Sequence, residues 1–205
     1  MLDVLEEKAT LDDALVVDKR QSNLKLLAAA QSREKDDVDT AKMQRLIETL
    51  RERFDYVLID SPAGIELGFR NAVAGADAAI IVCTPEVSAV RDADRVVGLL
   101  PSNLHPKLIV NRLRPALVKK GKMLSVDDVN AILHLPLIGV VIDEPEVIVA
   151  TNKGEPVALI EASKTGAAYR RIAARVAGEE IPIPEFSAEP AGFMNKLSSF
   201  FGGAR

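Results

Sequence analysis

The sequence predicts an α/β protein with a mostly parallel sheet and helices on both faces of that sheet. Short, nearly continuous apolar runs alternate along the chain with segments of helical periodicity, and such runs are typical of strands buried in a parallel sheet. Several of the runs end in turns that contain proline or glycine. With 205 residues, of which 48% are hydrophobic and 27% charged, the chain is long enough to bury a core.

The first fifty residues are expected to contain three helices and one short strand. Residues 1–15 have helical character, and Thr10 provides a capping signal for a second short helix. A short strand is expected within residues 23–29. Residues 41–53 form an amphipathic helix whose apolar face carries Met43, Leu46, Ile47 and Leu50.

The stretch around which the fold is organised is an apolar run at residues 56–59, which predicts a strand buried on both faces. It ends at Asp60, followed by the turn sequence Ser-Pro-Ala-Gly. Such an acid could hold Mg²⁺, through water, beside the phosphates of a nucleotide, since ligands bind at this edge of parallel sheets. Alternatively, Asp60 could cap a helix that starts near Ile65, and the residues alone favour this alternative.

The rest of the domain continues the alternation. Helices are expected at residues 66–74, 88–100, 126–134, 144–151 and 163–177, and the helix after residue 125 has a cap at Ser125. Strands are expected at residues 78–83, 107–111 and 137–142. In the last helix, the side chains expected to face inward are Tyr169, Ile172 and Val176.

The carboxyl-terminal part differs in character, which divides the chain into a domain (1–178), a linker (179–190) and a terminal helix (191–203). The linker is rich in proline and glutamate. The apolar residues of the helix follow a helical spacing and lie on one face: Phe193, Met194, Leu197, Phe200 and Phe201. We interpret it as a helix for a membrane surface or a partner groove, with folding back onto the domain as the alternative. A single copy would bind weakly, which favours a dimer.

Composition excludes several classes of function. A net charge of −4 argues against nucleic-acid binding. Cys83 lies in an apolar run, so we expect a small buried hydrophobe, and one cysteine with two histidines makes a structural zinc site improbable. Without a basic leader or an apolar run of roughly 20 residues, we expect a cytoplasmic protein or a piece of one.

Five segments, in this order and spacing, resemble the MinD family, the deviant-Walker P-loop ATPases that place the bacterial division septum. They are Asp60-Ser-Pro-Ala-Gly-Ile-Glu66, Pro85-Glu-Val-Ser-Ala-Val-Arg-Asp-Ala-Asp94, Met123-Leu-Ser-Val-Asp-Asp128, Asn152-Lys-Gly-Glu-Pro156 and the terminal helix. The related chromosome- and plasmid-partitioning (ParA-like) ATPases share the strand that leads to Asp60 but usually lack the tail helix. They are therefore the second choice.

The resemblance implies a function and a set of site residues. ATP and Mg²⁺ would drive formation of a homodimer on the inner face of an anionic membrane, with MinC recruited and MinE releasing the dimer by stimulating hydrolysis. Asp60 would be the catalytic acid that holds Mg²⁺ through water, and the terminal helix the membrane-targeting sequence. The switch loop would be Ser61, Pro62, Ala63 and Gly64. Asn111 and Arg112 would contact the adenine, as would residues 141–144, although these lack the family's proline. Partner proteins would dock on Glu66, Glu86, Asp92 and Asp94.

Some of these residues also have purely structural explanations. Asn111 is as well explained as a turn residue at a strand end, and the four acids as a solvated surface.

One family feature is missing from the sequence. The glycine-rich phosphate loop, which reads KGGVGKT in the family, has no counterpart in the 205 residues. Met1 aligns inside the family's domain, so that the first strand, the loop and the first switch would lie upstream of it. We therefore expect a truncated ATPase that, as this chain alone, does not hydrolyse ATP. The alternatives are a non-enzymatic membrane adaptor and a partitioning-type relative.

Overall fold

The computed structural model describes residues 1–29, 39–61 and 64–186, and these form two compact units that divide between Asp77 and Ala78. The predicted terminal helix at 191–203, with its five apolar side chains, lies outside the described residues, as does the end of the linker. The same holds for Pro62 and Ala63 of the expected switch loop.

The first unit contains four helices and a two-stranded antiparallel hairpin among its described residues. The helices are α1 (Leu2–Leu5), α2 (Leu11–Ala14), α3 (Thr40–Arg51) and α4 (Leu67–Val73). The hairpin pairs β1 (Leu15–Val17) with β2 (Lys25–Leu27), and Val16 is opposite Leu26. The sequence predicted β2 but not β1. Strand β1 is only three residues long and follows a helix directly, so it shows no alternation of apolar and polar residues that would mark a strand.

Local sequence signals explain where the helices of this unit begin. The Thr10 hydroxyl accepts the Asp13 N–H at 3.2 Å and so caps α2, as predicted. The Asp39 carboxylate accepts the Ala41 N–H at 2.9 Å and caps α3. The predicted apolar face of α3 is confirmed. Leu46 and Leu50 form one cluster with Leu2 and Leu5 of α1, Met43 packs against that cluster, and Ile47 is buried.

The run at residues 56–59 belongs to no helix or strand and is not part of a sheet. Among the described residues, no main-chain hydrogen bond joins it to another segment. Tyr56 is 60% and Leu58 83% exposed, whereas Val57 packs against the α1/α3 cluster. The prediction of a strand buried on both faces was therefore wrong, because an apolar run becomes a buried strand only where neighbouring strands supply hydrogen bonds and cover.

The second unit contains a three-stranded parallel sheet in the order β3-β4-β5, formed by β3 (Ile80–Cys83), β4 (Lys107–Leu113) and β5 (Leu137–Ile142). Its helices are α5 (Val87–Leu99), α6 (Pro115–Lys119), α7 (Val126–Leu133), α8 (Pro145–Asn152) and α9 (Lys164–Val176). The predicted Ser125 cap of α7 is confirmed as a reciprocal capping box with Asp128. Helix α6 lies between the predicted strand at 107–111 and the helix after residue 125, where no helix was predicted.

Helices cover both faces of this sheet. On one face, fully buried side chains of β4 meet those of α5 and α7 in a cluster that includes Val90, Leu108, Val110 and Val129. On the other face, Ile138 and Val141 of β5 pack against Ile172 of α9, with Tyr169 and Val176 beside them as predicted. Each fully buried aliphatic side chain contributes about 1.5–3 kcal/mol. The α/β fold class with a parallel sheet is thus confirmed, although Val82 of β3 remains 60% exposed.

The packing of α9 on β5 predicts that Gly139→Ala lowers the free energy of unfolding by roughly 1–3 kcal/mol. A Cβ at Gly139 would lie 2.2 Å from Cγ1 of Ile172, whose side chain is buried and cannot withdraw. The matched control is Gly98→Ala in α5, where a Cβ meets nothing within 4 Å. Urea unfolding should show that control to be neutral or slightly stabilised. Equal stability of the two variants would contradict this packing.

Candidate functional site

Asp60 lies at the end of the apolar run at residues 56–59 and is exposed. Within the described residues, that carboxylate accepts no hydrogen bond and forms no ion pair. Helix α4 begins at Leu67 and its N-cap residue is Glu66, so Asp60 does not cap this helix and the capping alternative was wrong. Asp60 is thus left available for a ligand.

The loop between Asp60 and α4 turns at a glycine. Gly64 has φ +104°, a left-handed conformation that side chains with a Cβ rarely adopt. Ser61 and Glu66 are both exposed in this loop. Three of the four expected docking acids lie outside this unit, and only Glu66 belongs to it.

Asn111 and Arg112 form a β-bulge near the carboxyl end of β4. Val110 pairs with Val140 and Leu113 with Ile142, so β4 carries one more residue than β5 between these pairs. The backbone accommodates the extra residue by a left-handed conformation at Arg112, where φ is +57°. The N–H of Arg112 donates a hydrogen bond to the side-chain oxygen of Asn111 at 3.0 Å. The bulge lies at the carboxyl-terminal edge of a parallel sheet, where ligands bind in open α/β folds.

Asp143 connects this bulge to the loop that follows β5. Its carboxylate accepts hydrogen bonds from Nε of Arg114 at 2.5 Å and from Nε of Arg112 at 3.4 Å. The hydrogen bond from Arg114, with a smaller contribution from Arg112, holds the pKa of the Asp143 carboxyl below its usual range. The structure therefore brings Asp143 together with Arg112, and the adenine role of both stays a prediction. Sequence reasoning missed Asp143 and Arg114 individually, and no spacing signal marks the pair.

This ion-pair cluster predicts a pH-dependent effect of Asp143→Asn. Because the folded-state pKa of Asp143 is lowered, its stabilisation is present above the unfolded pKa of about 3.9 and is lost as the pH falls through the folded value. At pH 7 the variant should be less stable by about 1 kcal/mol or less, since both arginines are exposed.

Urea unfolding at pH 7, 5 and 3 checks this expectation, with Asp94→Asn as control, because Asp94 is exposed and makes no ion pair within the described residues. A stability difference for Asp143→Asn that stays constant down to pH 3 would contradict the assigned cause.

The expected docking acids of the second unit are all exposed, but they do not form one face. Glu86 is the N-cap residue of α5, and its side chain makes no capping hydrogen bond. Asp92 and Asp94 are two positions apart on α5, which places them on different flanks of the helix. The docking role of these acids stays a prediction, and Asp92 and Asp94 could contact a partner only across the exposed side of the helix.

Cys83 is buried at the end of β3, as expected for a small hydrophobe. Burial, with a smaller contribution from the charge of Glu86, raises the pKa of its thiol to about 11. The thiol is therefore protonated and unreactive at neutral pH.

The residues present fit one part of a nucleotide–magnesium site and not another. An unpaired exposed carboxylate such as Asp60 suits Mg²⁺ bound through water, and in the described ranges no group of three donors could hold a metal directly. The amide of Asn111 suits the edge of an adenine. These 205 residues provide no binding site for the phosphates, because they contain no glycine-rich loop with its lysine. No helix in the described part of the chain is long and apolar enough to cross a membrane.

The comparison with solved structures defines the class of protein. MinD of Aquifex aeolicus superimposes with a TM-score of 0.82 at 45% identity, covering 90% of this chain and 77% of that one. A MinD from Pyrococcus horikoshii, solved as a complex with Mg-ADP, gives a TM-score of 0.74 at 27% identity and covers 87% and 75% of the two chains. The fold places this protein in the structural class of the MinD cell-division proteins.

Sequence comparison gives the particular family. A septum site-determining protein MinD from a Synechocystis species is 52% identical over 199 residues, which are 96% of this chain and 75% of the relative. The MinD of Bacillus subtilis is 45% identical over 206 residues, covering 98% and 77%. A scan against protein-family models gave no match. The chain belongs to the MinD family of septum site-determining proteins, and it spans about three quarters of the length of these relatives.

Proposed function

We propose that this chain acts in placement of the division septum, as a MinD-type protein that is recruited to the membrane and carries MinC with it. The observation that carries the proposal is the 52% identity, over 96% of the chain, to a septum site-determining protein. In the complete cycle ATP would join two copies, and a MinE-like regulator would release them from the inner face of the cell membrane.

The nucleotide roles follow the placement of the residues in each unit. Asp60, exposed and unpaired, would hold Mg²⁺ through water, and the loop from Ser61 to Gly64 would respond to the phosphates. In the second unit, the bulge at Asn111 and Arg112 would meet the adenine, and Asp143 would fix the direction of the Arg112 side chain. The phosphate loop would have to come from residues other than these 205.

Self-association is supported by an exposed apolar surface in the second unit. Ile148 and Val149 of α8 are 65% and 51% exposed, and Leu159 is 50% exposed. Clustered apolar side chains on a surface are typical of protein–protein contacts. A dimer would also hold two terminal helices together, which turns weak attachment to a lipid surface into stable attachment.

Docking of MinC is the part of this proposal that can be tested on the structure described. The Aquifex aeolicus MinD, at 45% identity, was solved in complex with MinC. We expect Asp92→Lys and Asp94→Lys in α5 to weaken binding of purified Aquifex MinC by roughly tenfold each, because reversing a charge replaces attraction with repulsion. Surface plasmon resonance with this chain immobilised measures the affinity.

The control for this experiment is Asp127→Lys, which reverses an exposed acid on α7 of the same unit. It should leave MinC binding within twofold of the parent chain. Equal binding by all three variants would show that the docking surface lies elsewhere, and would favour the view that the acids of α5 are only a solvated surface.

A further inference from the structure

The positive charge of this chain is concentrated in one stretch of the second unit. Residues 96–126 contain six lysines and arginines and no aspartate or glutamate. The whole chain has a net charge of −4, so removing these six positive charges leaves −10 for the other residues. A charge asymmetry of this size along a sequence indicates contact with an anionic partner.

Three lysines of this stretch share one short turn after α6, which we name the lysine turn: Lys119, Lys120 and Lys122. The chain reverses at Gly121, where φ is +61°, and the N–H of residue 122 donates to the C=O of Leu117 at 2.9 Å. On either side of the turn, the buried side chains of Val118 and Leu124 belong to the core of the unit. The backbone of the lysine turn is therefore held in place before any partner binds.

The charges of the lysine turn are exposed and are not neutralised by neighbouring acids. All three lysines are exposed, and none of them forms an ion pair within the described residues. The N–H of Arg114 donates to Sδ of Met123 at 3.3 Å, which places this arginine beside the turn. Arg112 and Arg114 share a single carboxylate, that of Asp143, so their pairing leaves a net positive charge. The surface around the turn therefore attracts anions.

The composition around the turn favours an anionic lipid surface over a nucleic acid. Aromatic side chains stack on the bases of single strands, and residues 96–126 contain no phenylalanine, tyrosine or tryptophan. Pro115 and Ala116 of α6 are exposed near the lysines, so the surface combines cations with small apolar groups, as lipid interfaces accept. Attachment through the terminal segment would also raise the concentration of lipid headgroups that the turn meets.

We propose that the lysine turn is a second membrane contact, which binds the headgroups of anionic lipids and orients the second unit on the bilayer. This inference rests on the proposed recruitment to the membrane, and it names the surface of the unit that meets the lipid. The ammonium groups pair with lipid phosphates, and each lysine near an anionic leaflet strengthens attachment roughly fivefold. The attraction falls off within about 8 Å at physiological salt, so the turn lies against the headgroups in the attached state.

The test measures co-sedimentation of the full 205-residue chain with two kinds of vesicle. One kind contains phosphatidylcholine alone, and the other contains phosphatidylcholine and phosphatidylglycerol in equal parts. The variant that combines Lys119→Gln, Lys120→Gln and Lys122→Gln should bind the anionic vesicles roughly tenfold to 100-fold more weakly than the parent chain. Its binding to the neutral vesicles should be unchanged. Because the three lysines are exposed, the variant should keep the parent's circular dichroism spectrum.

The matched control removes three other positive charges from the same unit. Arg95, Lys153 and Lys164 are exposed, form no ion pair within the described ranges and lie outside the lysine turn. Their combined replacement by glutamine changes the net charge equally, and it should leave binding to the anionic vesicles within roughly threefold of the parent, because exposed charges far from the lipid are screened. An equal loss of binding in this control would overturn the proposal, since net charge alone would then explain the effect.

A third variant, Phe200→Ser with Phe201→Ser, separates this proposal from attachment through the terminal segment. If the lysines change binding to anionic vesicles and the two phenylalanines do not, the lysine turn stands and the membrane role of the terminal segment fails. If only the phenylalanines matter, the proposal for the turn is overturned and attachment through the terminal segment stands.

A fluorescent DNA duplex in the same buffer tests the other class of polyanion. The parent chain and the lysine variant should bind this duplex equally weakly. Binding of the duplex that depends on the three lysines, without lysine-dependent binding to vesicles, would assign the turn to nucleic acid and overturn the proposal.

Discussion

Titrated with Mg²⁺-ATP in a calorimeter, the 205-residue chain is expected to give no saturable heat and no turnover. Affinity for the phosphates in this class of protein comes from a glycine-rich loop whose N–H groups and lysine surround them, and these residues contain no such loop. Each missing charge-assisted hydrogen bond is worth about 1.5–3 kcal/mol, and every 1.4 kcal/mol is tenfold in affinity. The loss of several such hydrogen bonds should weaken ATP binding until calorimetry can no longer detect it.

The control for this experiment is Asp60→Ala, together with a positive control, the Pyrococcus horikoshii MinD that was solved with Mg-ADP. If the chain binds ATP with micromolar affinity and the Asp60→Ala variant does not, the expectation is wrong. In that case the remaining loops would form a nucleotide site around Asp60 without a phosphate loop. Binding that survives in Asp60→Ala would instead remove Asp60 from the site.

Most of the second unit could be predicted from the sequence, because its signals are local and agree with the packing. The Ser125–Asp128 capping box fixes the start of α7, and the apolar run of β5 was placed at residues 137–142, as observed. The inward residue Ile172 of α9 followed from helical spacing and meets the sheet as expected. Where the spacing of apolar residues, the helix caps and the packing on the sheet all indicate the same element, a single sequence is enough to predict that element.

The sequence failed where the conformation depends on a neighbouring segment. The run at residues 56–59 has the composition of a central strand, yet its hydrogen bonds would have to come from other strands, and composition does not reveal whether they are present. The bulge at Arg112 depends on the register between β4 and β5, which is a property of two strands together. The pairing of Asp143 with Arg112 and Arg114 follows from that register, so it could not be predicted either.

The candidate site was therefore only partly accessible from the residues. Asp60 was found because a carboxylate after an apolar run is unusual, and the structure supports its availability by placing the cap of α4 on Glu66. The acids of α5 were found through the resemblance, which conveys residue identities but not their angular positions on the helix. Asp92 and Asp94 illustrate the difference, since both are exposed but lie on different flanks.

Replacing Phe200 and Phe201 with serine is expected to weaken strongly the attachment of the chain to anionic lipid vesicles. Both residues belong to the apolar face predicted for the terminal segment. Half-burying two phenylalanines in the lipid interface is worth roughly 2–3 kcal/mol, so binding should fall by roughly 30- to 100-fold. Co-sedimentation with vesicles that contain phosphatidylglycerol measures the change.

The matched control is a scrambled tail, with the same composition but without the helical spacing of the apolar residues. It should bind as poorly as the serine variant, because an interfacial helix needs its apolar side chains on one face. Full binding of the scrambled tail would contradict the amphipathic-helix interpretation and indicate non-specific hydrophobic adsorption to the vesicles. Unchanged binding of the serine variant would assign the segment to the domain surface instead.

A second comparison in the same assay separates a nucleotide-regulated protein from a membrane adaptor. The tail contributes few cations, Lys196 and Arg205, so we expect one copy to bind weakly and attachment to depend on pairing two tails. If ATP drives that pairing only in a protein with the phosphate loop, then Asp60→Ala should leave vesicle binding of this chain unchanged, with or without Mg²⁺-ATP. Replacing the matching aspartate of a relative that carries the loop should weaken binding, because we expect that aspartate to control the step that brings two tails together.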